Sequence, residues 1–429
     1  MSQPRPAVQP YPDAHLMEKI VSRENMLSAW KRVQQNQGSA GVDGRTIEQT
    51  GKYLKTHWEK IKRFLLEGSY VPREVRKVRI PKASGGIREL GIPTVQDRMI
   101  QQAILQVLQP ILDPTFHPQS YGFRPGRSAH QAIRQVQSFI GEGREYCVDV
   151  DIEKFFDRVN HDLLMDRVRK RIKDERLIRI IRRFLQAGMM DEGVSVAREE
   201  GTPQGGPLSP LLSNLMLDEM DWELEKRGLR FVRYADDCNV YVKSKRAAER
   251  AYRTINRCLR QLKLRVNENK SYVGKALGTR RKFLGYAMSK APDGRIRPRA
   301  SNASVVRFQA QIRRLTRRTL GENIQEMTKK RLNPYIRGWR NYFALADEPR
   351  VFPQLDSWIR RRLRAIQLKQ WKQSRTCTRE LASRGLPYED ARRMGAAMRS
   401  WWRASRCPAM HQVFGNEYYR TLGLEGLST

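Results

Sequence analysis

The sequence predicts an α+β fold. Two observations carry that prediction: long stretches place apolar residues at helical spacing, and only a few, widely separated segments read as strands, without the regular strand–helix alternation of a doubly wound sheet. A third is that no internal repeat of about 20 to 50 residues is present, which sets solenoids and propellers aside. At 429 residues the chain is long enough for a sizeable core and for two to four domains.

The elements follow in order. "MSQPRPAVQPYP", rich in Pro and Gln, predicts a flexible tail over residues 1–17. A helical extension is expected over 18–70: Ile20, Met26, Leu27, Trp30 and Val33 recur at helical spacing until "NQGSAGVDG" breaks the pattern, and a second helix is expected over 53–66. "VPREVRKVRIPKASGGIRELGIP" predicts a hairpin, with Val75, Val78 and Ile80 entering, Ser84-Gly85-Gly86 reversing the chain, and Ile87, Leu90 and Ile92 leaving. Helices are expected over 96–112, 129–140 and 162–173, the last capped by Asn160 or Asp162. Two β segments then stand out, "EYCVDVDI" and "RFVRYADDCNVYV", each with partial alternation and acidic residues.

From about residue 300 the texture turns to basic helices. Over 307–320, Phe308, Ile312, Leu315 and Thr319 share a face, while Arg307, Arg313, Arg314, Arg317 and Arg318 lie elsewhere. "LDSWIRRRLRAIQLKQWKQSR" repeats the arrangement. Residues 301–429 hold 26 Lys and Arg against 10 Asp and Glu.

Over the whole chain, 82 Lys and Arg against 45 Asp and Glu leave a formal charge of +37, which points to a polyanionic partner, nucleic acid first. A membrane surface is the rival. It is disfavoured because no apolar run approaches about 18 residues and no basic-then-apolar signal pattern opens the chain, so a cytoplasmic location without membrane partner is expected. The five cysteines are scattered without a Cys-x-x-Cys pair, and the six histidines without a His-x-x-x-His pair; a disulfide framework, a zinc finger and a histidine metal site are therefore not expected.

Chemistry concentrates in the two β segments. In "YCVDVDIEKFFD", Tyr146, Val148 and Val150 lie on one side of a strand and Asp149 and Asp151 on the other. In "YADD" the apolar flanks read as two strands of a hairpin with Ala235 to Asp237 at or near its turn. If these strands pair, Asp151 and Asp236 converge. Gathered carboxylates repel one another, and a divalent cation with a preference for hard oxygen ligands, such as Mg²⁺, relieves that repulsion. Read alone, the Asp236-Asp237 pair is more readily a simple turn.

Seven blocks in order change that weighting: "RIPKASGGIRELGIPTVQDRMIQQAI", "SYGFRPGRSAHQAI", "DVDIEKFFDRVNHDLL", "GTPQGGPLSPLLSNLMLDEMD", "RYADDCNVYV", "KSYVGKALGTRRKFLGY" and "RLNPYIRGWRNYF". Together they resemble group II intron reverse transcriptases, also called maturases, over roughly residues 18–420. The resemblance implies a right-hand polymerase with fingers and palm over 71–290, a helical thumb or maturase domain over 291–375, and a basic DNA-binding region over 376–429.

It also implies roles. Asp151, Asp236 and Asp237 become the catalytic acids and metal ligands, with the Ile152 carbonyl as a further ligand and Asp149 as a nearby decoy. Two Mg²⁺ ions, with Mn²⁺ as an alternative, are the implied cofactors. Phe156 becomes an aromatic gate against a ribose 2′-OH, its ordinary alternative being a core Phe. Lys82 and Arg88 flank the Gly85-Gly86 turn and are expected to grip a triphosphate. Gln204 and Gly205 of "PQGGPLSP" are expected at the nucleotide, and Lys270 of "NENKS" resembles a lysine that protonates or neutralises pyrophosphate, or is simply solvated. Arg313, Arg314, Arg317, Arg360, Arg361, Arg362 and Arg364 are expected to contact RNA, while Trp339, Trp358 and Trp371 are expected to be largely core.

The implied partners are the chain's own group II intron RNA, an RNA template with a DNA or RNA primer, dNTPs and a DNA target. The oligomeric state stays open between monomer and dimer. The ending "EYYRTLGLEGLST" carries no Cys/His nuclease ligand set, so autonomous second-strand cleavage is not expected. The alternative within the superfamily is a domesticated, retron or diversity-generating reverse transcriptase without a splicing role; "RLNPYIRGWRNYF" favours the intron class.

Overall fold

The computed structural model describes residues 11–81, 85–191, 194–196, 200–202, 205–278, 281–317 and 321–428. The chain divides into two units, Met1–Ala276 and Leu277–Thr429. Within them the helix-rich α+β composition expected from periodicity is realised.

The first unit opens on α1 (Leu16–Ile20), α2 (Arg23–Gln35) and α3 (Ile47–Leu66). The single helix expected over 18–35 is corrected to two, because Ser22 leaves the helical conformation and its hydroxyl caps α2 by accepting the Asn25 N–H. The expected hairpin follows as β1 (Val75–Pro81) and β2 (Ile87–Ile92), paired antiparallel with Arg76 opposite Ile92. Next come α4 (Val95–Leu112) and α5 (Ala129–Gly141), whose N-termini are capped by Thr94 and Ser128.

The segment "EYCVDVDI" begins the central sheet with β3 (Tyr146–Val150), followed by α6 (Phe155–Arg158), α7 (His161–Arg169) and α8 (Glu175–Gln186). Asn160, not Asp162, caps α7, its side chain accepting the Leu163 N–H. Short strands β4 (Met189–Asp191) and β5 (Val194–Val196) then extend the first hairpin into a four-stranded sheet, order β2-β1-β4-β5. After α9 (Ser209–Lys226) come β6 (Arg230–Tyr234), β7 (Asp237–Val242), α10 (Lys245–Gln261) and β8 (Tyr272–Lys275). The sheet of order β6-β7-β3-β8 is antiparallel throughout.

One hydrophobic cluster fills this unit. Val148 and Val150 of β3 point into it, as do Ile255 and Leu259 of α10 and the apolar face of α9. Alternation along β3 leaves Asp149 and Asp151 on the opposite, partly open face.

The second unit begins with an antiparallel hairpin, β9 (Tyr286–Lys290) and β10 (Ile296–Ala300). Helices α11 (Asn302–Leu315), α12 (Ile324–Met327), α13 (Asn333–Tyr342) and α14 (Val351–Trp371) follow, then α15 (Ser374–Ala382), α16 (Tyr388–Ala396), α17 (Trp401–Ala404), α18 (Pro408–Val413) and α19 (Asn416–Thr421). The helix expected over 307–320 starts earlier because Ser301 caps it. Phe308 and Ile312 are fully buried. Trp339 packs among Phe308, Phe343 and Phe352, and Trp371 against Phe414. All five cysteines are free thiols, four of them buried. Among the described residues no helix is long and apolar enough to cross a membrane.

Candidate active site

The pairing of β3 with β7 brings the acidic residues together. The register sets Val150 opposite Cys238 and Asp149 opposite Asn239, so the next rung carries Asp151 toward Asp237. The Asn239 amide donates to Asp237 Oδ1 at 3.1 Å and to Asp149 Oδ1 at 3.4 Å, which puts all three side chains on one face. Asp237 keeps some exposed surface as a residue, yet its carboxyl is enclosed. Burial first, then the charges of Asp149, Asp236 and Asp151, hold that carboxyl well above the usual carboxylate range.

Asp151 sits just beyond the end of β3. Its backbone N–H donates to the Ser271 hydroxyl at 3.1 Å and its carbonyl accepts the Asn267 N–H. The adjacent bridge of Ile152 with Val266 is made by the N–H groups of Glu153 and Asn267 to the carbonyls of Arg265 and Asp151, so it uses neither backbone group of Ile152. Lys270 Nζ lies 3.7 Å from Asp151 Oδ2. Both groups are well exposed, so that pair adds little stability.

Asp236 occupies a two-residue turn, with Tyr234 paired to Asp237 across it. Ala235, the first turn residue, has φ 60°, the left-handed conformation of a II′-type hairpin turn that glycine ordinarily supplies. What holds an alanine there is Arg233. Its guanidinium, fully buried, donates to Asp221 at 2.6–3.0 Å, to Asn214 Oδ1 at 2.9 Å and to the Ala235 carbonyl at 2.8 Å. Gly122 closes the turn from outside, because a Cβ there would collide with the Ala235 N, and its carbonyl accepts from the Asn214 amide at 2.9 Å.

Arg233, Asp221, Asn214 and Gly122 were not anticipated from the sequence. A signal was available: Asp218, Asp221 and Glu225 recur at helical spacing on α9, on a face they share with apolar residues. All three are buried, so each needs a buried partner. Arg171 pairs with Asp218 at 2.9 Å and Arg233 with Asp221, while His117 stands 3.7 Å from Glu225. Burial pushes the His117 imidazole down to about 4, which keeps it neutral at pH 7.

A cleft of about 500 Å³ is lined by Leu90, Phe123, Phe156, Gly205, Gly206 and Pro207 among others; Phe123, which directly follows Gly122, is its link to the turn. Phe156, on α6, is half-buried, rests edge-on against Phe155, and its carbonyl accepts the Thr202 N–H at 2.6 Å. Gly205, at φ 128°, passes so near the Gly91 carbonyl that a Cβ would sit 2.9 Å from it. Phe156 and Gly205 thus share one cavity. Lys82 and Gln204 lie outside the described residues, and Arg88 is described only by its backbone in β2.

The basic candidates of the second unit separate into two groups. Arg313, Arg314 and Arg317 are exposed on or just after α11. Arg364 is 3% exposed and donates to the Phe414 carbonyl at 3.1 Å; the expectation that it contacts RNA is corrected, because its charge is spent holding the chain after α18. Arg361 stacks 3.8 Å over Trp402 and donates to its carbonyl, and Arg362 donates to the hydroxyl and carbonyl of Thr316. Arg360 is half-buried.

An oxygen-only donor set that raises its own proton affinity suits a hard divalent cation. Among the described residues no three acidic, imidazole or thiol side chains already converge into a ligand shell.

The chain is similar to known proteins in sequence. The family profile described as reverse transcriptase (RNA-dependent DNA polymerase) matches residues 80–288, and that of the group II intron maturase-specific domain matches residues 305–384. Protein YkfC of Escherichia coli is 37% identical over 272 residues, covering 54% of this chain and 71% of YkfC. The group II intron-encoded protein LtrA of Lactococcus lactis is 35% identical over 206 residues, 48% of this chain but 34% of LtrA. Among solved structures, a chain of a Cas6-RT-Cas1–Cas2 complex aligns over 58% of this chain and 42% of its own, at 24% identity and a TM-score of 0.38.

Proposed function

This chain belongs to the group II intron reverse transcriptases and maturases, and from that premise we propose that it copies RNA into DNA in a right-hand site while gripping the RNA of its own intron for splicing and mobility. The observation that carries the polymerase reading is the gathering of Asp149, Asp151, Asp236 and Asp237 at one end of the β3–β7 pair.

Reverse transcriptase domains use divalent metal ions, and Mg²⁺ is the ion this oxygen set favours. Asp151, Asp236 and Asp237, with the Ile152 carbonyl, would hold it. When bound, such ions lower the pKa of a primer 3′-hydroxyl and offset the charge of the triphosphate. The chain's own groups do the rest. Arg233, Asn214 and Gly122 hold the turn so that Asp236 is presented without reorganisation. Phe156 limits the cleft on the side where a ribose 2′-OH would sit. Lys82 and Arg88 neutralise the incoming triphosphate, Gln204 and Gly205 line its approach, and Lys270 Nζ supplies a proton or a charge to the departing pyrophosphate.

Binding of the intron RNA is assigned to the exposed arginines of the second unit, Arg313, Arg314 and Arg317, with Arg360 at its edge. Residues 376–429 are assigned to target DNA, and the protein to the cytoplasm. Extension of a DNA primer on an RNA template tests the core of this reading: Asp236→Ala is expected to abolish it, and full activity in that variant sinks the assignment. Replacement of Arg313, Arg314 and Arg317 by Gln is expected to weaken intron RNA binding while extension of a short preannealed primer changes little.

A further inference from the structure

Helix α10 presents a row of arginines that none of the chemistry above uses. Between residues 243 and 265 the chain carries nine Lys and Arg and one acidic residue, Glu249. Five of them, Arg246, Arg250, Arg253, Arg257 and Arg260, recur at alternating intervals of four and three and are all exposed. That spacing averages 3.5 residues against the helical 3.6, so the side chains stay in one nearly straight line, about 21 Å long at ~1.5 Å per residue. Among the described residues none of the five is in an ion pair with an acidic side chain.

The row also faces the wrong way for the polymerase site. The opposite side of α10, with Ala248, Ala251, Ile255, Cys258 and Leu259, is buried in the same core as Val148 and Val150. Asp149 and Asp151 alternate onto the other face of β3. Polyanion held by α10 is therefore separated from the carboxylates by the thickness of the sheet.

We propose that this arginine row is a docking surface for a duplex segment of RNA, gripped through its phosphates. The chemistry selects that occupant. No large apolar side chain is exposed between residues 243 and 265, so the helix lacks the apolar face with which a basic amphipathic helix enters a lipid surface. It equally lacks an exposed aromatic on which an unpaired base would stack. A straight line of exposed guanidinium groups matches what an RNA duplex offers on its outside, a regular row of phosphates. The proposal rests on the reading of the chain as an RNA-binding polymerase and adds a second, non-catalytic contact to it.

The full chain with Arg246, Arg250, Arg253, Arg257 and Arg260 replaced by Gln tests it, using a blunt RNA hairpin of about 20 base pairs as probe and a preannealed short primer–template for extension. The expected result is binding at least about tenfold weaker at 150 mM salt, a log–log salt slope reduced by about three to five, and extension within about twofold of the parent. Replacement of all five by Lys is expected to retain most of the affinity. Should the fivefold variant fail to fold, Arg250→Gln with Arg257→Gln is read the same way, with a slope change of about two. Unchanged hairpin affinity, parallel loss of extension in a folded variant, or loss of binding to phosphatidylserine vesicles with hairpin binding intact each overturns the proposal. A parent chain that fails to extend primers overturns the polymerase reading instead and leaves the hairpin comparison standing.

Discussion

Removing the guanidinium of Arg233 leaves Asp221 charged and fully buried, with no other cation bonded to it among the described residues. Loss of one partner from such a pair costs about 3–5 kcal/mol, so Arg233→Met is expected to lower the urea midpoint sharply, and Arg233→Met with Asp221→Leu to recover most of that loss. If the double variant is as unstable as the single, the pair is not the cause. Gly122 makes a finer test. Its missing Cβ is what lets Ala235 lie where it does, so Gly122→Ala is expected to reduce kcat by about tenfold or more with KM for dNTP changed far less, the mark of a displaced Asp236 and not of a lost substrate contact. The strand and the turn that carry the acids were legible from local pattern, whereas a role for Asp236 and Asp237 beyond a simple turn came only with the resemblance of the seven blocks. Arg233 was not legible. A basic residue in a strand reads as solvent-facing until its partner, twelve residues earlier on another element, is known.

At the scale of elements, the N-terminus of α4 is tied to the chain before β1 by Asp97. Its carboxylate accepts from the Tyr70 hydroxyl, the Thr94 hydroxyl and the Arg73 N–H. Burial nevertheless pushes it up to about 6 from 3.8. The folded chain therefore binds this proton more tightly than the unfolded one, and the cost of ionising Asp97 is full above pH 6 and vanishes below about 4. Between pH 7 and pH 4 the parent is expected to gain about 2 kcal/mol relative to Asp97→Asn; a pH-independent difference in unfolding free energy contradicts that. Helix α14 shows where periodicity runs out. Its arginines read as one basic surface, yet the short helices after residue 400 fold over Arg361 and Arg364, and a helical wheel holds no information about a covering segment that far along the chain. Arg364→Gln is accordingly expected to lower thermal stability, while Arg314→Gln is expected to leave it unchanged and weaken RNA binding.

At the scale of the molecule, the charge of +37 is distributed with a purpose that differs from place to place. Part of it is consumed internally, by Arg171, Arg233 and Arg364 against buried acids and carbonyls. Part is displayed on the exposed faces of α10 and α11, and the row on α10 lies across the sheet from the cluster of carboxylates. Composition alone revealed a polyanionic partner but not this division, because net charge carries no account of burial. The α+β class, the first hairpin, the helices α3, α4, α5, α7 and α11 and the strands β3, β6 and β7 were legible from spacing and caps. By contrast, α8 to α10, β8 to β10 and the short helices after α14 were not placed, and the parallel pairing of β1 with β4 joins residues more than a hundred positions apart and has no local signal.

The central claim is that the carboxylates at the β3–β7 end form a metal-dependent site for DNA synthesis on RNA. Incorporation of dTTP on a poly(rA) template primed with oligo(dT), followed as Mg²⁺ is titrated, measures it directly. The parent is expected to show saturable, Mg²⁺-dependent synthesis that EDTA abolishes, and Asp151→Asn and Asp236→Asn each to lose at least about a thousandfold. Synthesis by either variant at the parent's rate, or synthesis that persists in EDTA, would contradict it.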